Sequence, residues 1–253
     1  MNELFDTAAA CLKRASKIVV FTGAGASAES GIATFRDALT GLWERFDAQR
    51  LATAPAFKAD PSLVWGWYEW RRAQAQSVHP NPGHVAVCQL ARHVSKLTIV
   101  TQNVDSLHER AGSDNVLHLH GSLNSPRCFE CASPMVVSDV SGDPLGEGSR
   151  IEPPSCPECG GLCRPGVVWF GESLPADVWE AAVSAVAECD VLLSIGTSGA
   201  VYPAAALPKQ ALSFGAVVIH INSDRVAVSA ENEISLVGKG GVILPQLLAR
   251  AFS

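Results

Sequence analysis

No apolar run approaches the roughly 20 residues needed to cross a bilayer, and a stretch such as residues 17–22 is far too short. The start of the chain also lacks the basic-then-apolar order of an export signal. Glu3 and Asp6 come before Lys13 and Arg14, and residues 1–14 read as an amphipathic helix. A cytoplasmic location and no membrane partner are the expectations. Positive charge is in short supply as well. With 19 Lys and Arg against 25 Asp and Glu the formal net charge is −6, so no basic stripe is offered to nucleic acid. Internal repeats and low-complexity tracts are absent. Only 17% of the 253 residues are charged while 47% are apolar, enough for one large core with or without a small satellite domain.

Cysteine, by contrast, is plentiful, with eight residues. Cys128 and Cys131 form one Cys-x-x-Cys pair, Cys156 and Cys159 another, and a loop of 24 residues separates them. Without an export signal such pairs point to a metal rather than a disulfide framework. Four thiolates form a closed tetrahedron about one Zn²⁺, so the metal is expected to be structural. Cys163 reads as a bystander thiol, and Cys11, Cys88 and Cys189 as core packing. Few Lys or Arg flank the pairs, which argues against a nucleic-acid-binding ribbon.

Short β-branched runs at 17–22, 97–101, 116–120, 191–195 and 216–221 each lead into polar or Gly-rich residues. Strands this apolar, without alternation, suit a parallel sheet covered on both faces. Helical patterns at 176–188, 204–214 and 244–252 complete an α/β reading, a doubly wound parallel sheet of Rossmann type. Two segments interrupt the rhythm. Residues 42–77 are Trp- and Arg-rich and read as helices; residues 124–165 are rich in Cys, Pro, Gly and Ser, and neither reads as sheet. The expected division is therefore 1–41, 84–123 and 166–253 in the large domain, with 42–83 and 124–165 forming a small one.

The first strand runs into Gly23-Ala24-Gly25-Ala26-Ser27-Ala28, where Gly23, Gly25 and Ala28 fit the pattern that lets backbone approach a pyrophosphate. The plain structural reading is a tight strand-to-helix turn. A dehydrogenase would next show a strand ending in an acidic residue about 20 positions on. Glu44 and Asp47 lie at that distance but on no strand, which points away from hydride transfer. At the ends of the next strands stand Thr101-Gln102-Asn103-Val104-Asp105 and His118-Leu119-His120-Gly121-Ser122. Either histidine suits a general base. Strand alternation puts both on one face, so pattern alone does not choose between them.

Six motifs in order resemble the sirtuin family. They are Gly-Ala-Gly-Ala-Ser-Ala-Glu-Ser-Gly-Ile with Thr-Phe-Arg following, Thr-Gln-Asn-Val-Asp-Ser-Leu-His, His-Gly-Ser, the two Cys pairs, Val-Val-Trp-Phe-Gly-Glu and Gly-Thr-Ser. The resemblance covers nearly the whole chain, from about Lys17 to Leu248. It implies a Rossmann-type domain with a helical insert and zinc module, and consumption of NAD to deacylate lysines of protein substrates. The histidine of His-Gly-Ser, here His120, would be the general base. Gly23, Ala24, Gly25, Ala26 and Glu29 would frame the phosphates and ribose, and Thr34, Phe35 and Arg36 the loop over the nicotinamide end. Gln102, Asn103 and Asp105 would position the nicotinamide ribose and carboxamide. Gly196, Thr197 and Ser198 would meet phosphate and ribose, with Asn222, Ser223, Asp224 and Gly240 near the adenosine. Val168, Trp169, Phe170 and Gly171 resemble the edge that takes the substrate peptide as an added strand.

Tyr68 and Arg71, three apart on one helical face, resemble the acid-recognising pair of the subgroup that removes succinyl, malonyl or glutaryl groups. Arg-Pro before Val-Val-Trp-Phe-Gly-Glu is similar to that subgroup too. A guanidinium binds a carboxylate bidentately and a phenol adds a third hydrogen bond. The plain reading of the same residues is a solvated cationic face beside an aromatic core stripe. Two departures, Ala33 where the family often has Pro and Gly199 after Gly-Thr-Ser, would act on loop mobility; neither removes a reacting group. Two other functions fit the motifs: a protein ADP-ribosyltransferase, and a non-catalytic NAD or ADP-ribose sensor with a zinc ribbon.

Overall fold

The computed structural model describes residues 2–32, 48–137 and 150–253. Thr34, Phe35 and Arg36 lie outside the described residues. The strands in chain order are β1 (Lys17–Thr22), β2 (Lys96–Thr101), β3 (Val116–His118), β4 (Gly121–Cys128), β5 (Cys163–Val167), β6 (Val191–Ile195), β7 (Val217–Asn222) and β8 (Glu233–Val237). The helices are α1 (Asn2–Arg14), α2 (Ala24–Ala28), α3 (Ala48–Leu51), α4 (Ala54–Ala59), α5 (Pro61–Ser77), α6 (Pro82–Leu90), α7 (Leu107–Arg110), α8 (Ala176–Glu188), α9 (Leu207–Ser213) and α10 (Gly240–Phe252).

Six strands form one parallel sheet in the order β3-β2-β1-β6-β7-β8. Successive side chains of a strand point to opposite faces, and β1 shows why its sequence does not alternate. Ile18 and Val20 pack with Leu12 of α1, Leu90 of α6 and Leu247 of α10, while Val19 and Phe21 pack with Val186 of α8 and Ala211 of α9. Both faces are covered, so both sets must be apolar. The chain winds outward from β1 in one direction and from β6 in the other. The order therefore reverses between these two strands, where such sheets leave a ligand crevice at the carboxyl ends.

Two expectations need correction. Residues 124–165 do contain sheet: β4 and β5 pair antiparallel, with a register shift between Ser122 and Arg127. The alternation invoked for His118 and His120 also fails, because β3 ends at His118 and the chain turns through Leu119 and His120. The edge strand β8 was not anticipated.

The small sheet packs against α3, α4 and α5. Thr53 accepts the main-chain N–H of Ala56 to start α4, and Asp60 accepts that of Leu63 to start α5, each followed by Pro within the first turn. Phe57, Trp65, Trp67, Tyr68 and Trp169 make a third, aromatic core. Trp67 and Trp169 are fully buried, and truncating such a side chain to Ala costs on the order of 3–5 kcal/mol. This core fixes α5, and with it the placement of Tyr68 and Arg71. No helix among the described residues is long and apolar enough to cross a membrane.

Candidate active site

The crevice begins where β1 and β6 end. Gly23 N–H donates to Ile195 O at 3.0 Å and Gly25 N–H to Gly196 O at 2.9 Å. A Cβ on Gly25 would stand 2.8 Å from Gly196 Cα, and one on Gly196, itself at φ +60°, 2.4 Å from Ala26 N. Glycine is thus required here by backbone-to-backbone approach, and neither Gly25 nor Gly196 sets a side chain at the switch point.

A hydrogen-bonded floor lies alongside. Asn103 Nδ2 donates to Gly23 O at 3.0 Å and to Ser27 Oγ at 2.9 Å, and Ser27 Oγ donates to Asp105 Oδ2 at 2.8 Å. Asp105 also accepts Leu107 N–H at 3.0 Å. Asn103, Asp105 and the Gly23 turn therefore form one unit, and the amide hydrogens of Asn103 are already used within it. On the far side of the glycine junction, Glu29 accepts Gly241 N–H at 3.1 and 3.2 Å, joining the end of α2 to the start of α10 beside Gly240. Asn222 Nδ2 donates to Thr197 O at 2.9 Å, while Thr197 Oγ1 meets Ser194 Oγ at 3.1 Å. Ser198 accepts Ala200 N–H at 3.4 Å, and Ser223 and Asp224 are exposed at the rim.

The two histidines differ in what their ring nitrogens face. His118 has Nδ1 on Asn103 O at 3.1 Å and Nε2 on the Glu109 carboxylate at 2.6 Å. Burial pulls its pKa down, but the Glu109 carboxylate and Asn103 carbonyl outweigh it and leave the pKa above the ordinary value. With two acceptors to serve, the ring favours the imidazolium form, which has no base to offer. His120 has Nδ1 on Gln102 O at 3.0 Å. A carbonyl only accepts, so Nδ1 carries the hydrogen and Nε2 is left bare. Burial lowers the His120 pKa, partly offset by Gln102 O, so the ring is neutral near pH 7. The backbone then holds His120 to the small sheet's end, for Val168 N–H donates to His120 O at 2.8 Å.

Beneath the floor sit His84 and His108, with ring centroids 4.8 Å apart. Thr22 Oγ1 donates to Thr101 Oγ1 at 2.8 Å, so His108 Nε2 must donate to Thr22 Oγ1 at 3.2 Å, and Thr101 in turn receives Asn103 N–H at 3.0 Å. Burial, aided by the His84 ring, pushes the His108 pKa down to about 3; burial lowers that of His84 too. Between pH 6.5 and about 3 the unfolded chain binds a proton that folded His108 refuses, so this stability is complete above pH 6.5 and lost as pH falls. His118, with its raised pKa, contributes in the opposite sense, below pH 6.5. His108→Gln is therefore expected to flatten the acid limb by about 1.4 kcal/mol per pH unit. Urea unfolding at pH 7 and 5.5 reads this out. An unchanged slope would show that another group governs acid unfolding.

Tyr68 and Arg71 stand together on α5. Arg71 lies 5.2 Å from the Trp67 ring centroid; burial lowers its pKa, against the attraction of the Tyr68 and Asp105 sides. The segment Val168–Trp169–Phe170 is already bonded, its three N–H groups going to His120 O, the Glu172 carboxylate and Ala52 O. A peptide laid along it would pair with other main-chain groups. Phe170 is exposed and Gly171 turns the chain at φ +88°.

Apart from this crevice, the Sγ atoms of Cys128, Cys131, Cys156 and Cys159 all lie within 4.8 Å of one another. Cys128 to Cys159 is 3.5 Å and Cys131 to Cys156 3.8 Å. Zn–S bonds of ~2.3 Å in a tetrahedron place sulfurs about 3.8 Å apart, whereas a disulfide needs ~2.05 Å. Backbone N–H groups of Glu130 and Cys131 point at Cys128 Sγ, and that of Gly161 at Cys159 Sγ, at 3.4–3.5 Å. The cluster fits one structural zinc. Cys163 is buried opposite Cys128 in the β4–β5 ladder and outside the group of four. Cys156→Ser is expected to lower zinc content and thermal stability together. Folded, active protein without metal would contradict this.

Several supporting residues escaped the sequence reading. Ser27, Thr22, Thr101 and His108 join the site through contacts 76 to 86 residues apart, and Arg164 and Glu172 bear on Trp169. Ser27, Thr101, His108 and Glu172 stand inside the motifs that carry the resemblance, and Arg164 in the Arg-Pro before Val-Val-Trp-Phe-Gly-Glu, but none of these motifs tells what the side chain touches.

A profile of the Sir2 family matches residues 23–203. NAD-dependent protein deacylase 1 of Pseudomonas aeruginosa is 56% identical over 243 residues, 95% of this chain and 96% of that protein. The NAD-dependent protein deacylase of Methylococcus capsulatus is 50% identical over 246 residues, 97% of this chain and 96% of that protein. A solved Sir2 homologue in complex with NAD superposes with a TM-score of 0.86 at 41% identity, covering 99% of this chain and 93% of that one. With the glycine junction, the paired histidines and the four-thiol cluster in one fold, the chain belongs to the Sir2 family.

Proposed function

We propose that this chain is a protein lysine deacylase that uses NAD to remove acidic acyl groups, succinyl, malonyl and glutaryl, and acetyl less efficiently. NAD-dependent deacylation is the activity that its relatives carry in their names; the acyl preference is our inference. It rests on one observation, Tyr68 and Arg71 one helical turn apart on α5, the phenol buried and the guanidinium close enough to favour its ionised form. A carboxylate at the far end of an acyl chain would meet a charge and a hydrogen-bond donor there.

NAD, when bound, would supply the electrophilic ribose carbon, and with one water consumed the acyl group would end on ADP-ribose while nicotinamide and free lysine are released. This chain's residues do the rest. The glycine junction admits the pyrophosphate, and Asn103 and Asp105 hold the crevice floor rigid. His120 takes a ribose hydroxyl proton at its bare Nε2, with Nδ1 fixed on Gln102 O. Thr34, Phe35 and Arg36 complete the nicotinamide end in this reading, and Val168 to Gly171 carry the peptide. Among structures similar to this chain are Sir2 proteins holding a myristoylated histone peptide and a p53 peptide, which supports protein substrates. The division of the chain at 41/42, 83/84, 123/124 and 165/166, and a cytoplasmic setting, belong to the same proposal.

The test is competition between one peptide carrying succinyl-lysine and the same peptide carrying acetyl-lysine. kcat/KM is expected to favour the succinyl form. Equal values would remove the acyl assignment and leave the deacylase.

A further inference from the structure

Acid recognition by Tyr68 depends on which way one hydroxyl hydrogen points. The Tyr68 oxygen receives the indole N–H of Trp169 at 3.1 Å, and both rings are buried. An indole nitrogen donates and never accepts, so Tyr68 is the acceptor in this bond. The phenol has one hydrogen of its own, which is thereby left for a different acceptor. Trp169 is itself clamped. The Arg164 guanidinium carbon lies 3.5 Å from its ring centroid. Arg164 holds the Glu172 carboxylate through two nitrogens at 2.6 and 3.0 Å and donates to Val167 O at 2.9 Å. Glu172 also accepts the main-chain N–H of Trp169 at 2.9 Å, so ring and backbone are fixed by the same ion pair.

We propose that Trp169, clamped by Arg164 and Glu172, is a specificity-positioning residue. By occupying an acceptor site of the Tyr68 oxygen it restricts the direction in which the phenol's one hydrogen can point, and so favours acyl groups that end in an acceptor. This rests on the acidic-acyl reading above and deepens it: Arg71 supplies charge, whereas Trp169 sets the sense of the Tyr68 hydrogen bond. Burial raises the Tyr68 pKa by more than Arg71 and Trp169 lower it, so the hydrogen is retained at physiological pH. With Phe at position 169 the phenol oxygen would be open to other donors and its hydrogen to other directions.

The test uses the full chain and one peptide carrying succinyl- or acetyl-lysine, with W169F, Y68F, their double variant and R71M. W169F is expected to lower the succinyl-to-acetyl ratio of kcat/KM by roughly 2- to 13-fold, the worth of one net hydrogen bond. The loss should fall mainly on KM for the succinyl peptide, since the acyl terminus is remote from the reacting carbon. In the Y68F background W169F should change the ratio no further, because both act through one hydroxyl. Without any substrate, the Trp169 indole ¹⁵N–¹H resonance should move in Y68F. An unchanged ratio in W169F, multiplying losses in the double variant, or an unmoved indole resonance overturns the role of Trp169. If R71M still abolishes the succinyl preference in that case, the acidic-acyl reading survives. A wild type without succinyl preference overturns both. Should W169F fail to fold, E172Q takes its place: loosening the clamp should lower the ratio in the same direction, and an unchanged ratio there counts against the proposal.

Discussion

Replacing His120 with alanine is expected to lower turnover by ~10²–10⁴-fold, the usual cost of losing a general base, while NAD binding stays largely intact. The bond from Nδ1 to Gln102 O is what makes the ring useful. It fixes the tautomer, turns the lone pair to Nε2, and with burial keeps the ring neutral. Because the pKa lies below the ordinary 6.5 of histidine, the acid limb of kcat/KM should lie below pH 6.5. His118 makes a useful control. Its two nitrogens already serve Asn103 O and Glu109, so His118→Gln should cost stability more than chemistry. A His120→Ala enzyme with wild-type turnover would return the role to another group, His118 being first in line.

Arg71→Met is expected to remove desuccinylation far more than deacetylation. A charge-assisted hydrogen bond contributes roughly 1.5–3 kcal/mol net, or about 13- to 160-fold in kcat/KM for the acidic substrate. Met keeps much of the apolar stem of arginine and removes the guanidinium, whose carbon lies 5.2 Å from the Trp67 ring centroid. Tyr68→Phe should act in the same sense and more mildly, since it removes a neutral donor. The differential is the readout. If Arg71→Met lowers both activities by one factor, the side chain supports α5 or the cofactor end, and acid recognition fails.

Residues 17–22 and 191–195 stand out as strands because both faces of the sheet are buried, so that all but the exposed Lys17 and the polar Thr22 and Ser194 are apolar. β8 lay hidden for the opposite reason. At the sheet's edge its burial alternates, and Glu-Ile-Ser-Leu-Val is too short and too polar to stand out. β4 and β5 were masked by Pro, Gly and Cys, and by a register shift that breaks period-two patterning. In the site, the glycine junction could be read as local spacing, and the four cysteines likewise. The choice between His118 and His120 could not: β3 stops between them, and tautomers depend on carbonyls 15 and 18 residues away. The same holds for Glu29 at Gly241 and Trp169 at Tyr68, contacts across 212 and 101 residues that no window spans.

The measurement that bears most directly on the account is mass spectrometry of one succinyl-lysine peptide incubated with the full chain, with and without NAD. The account predicts free-lysine peptide, nicotinamide and O-succinyl-ADP-ribose in equal amounts, and no change when NAD is withheld. Loss of the succinyl group without NAD, or ADP-ribose appearing on protein while the acyl-lysine remains intact, would contradict it.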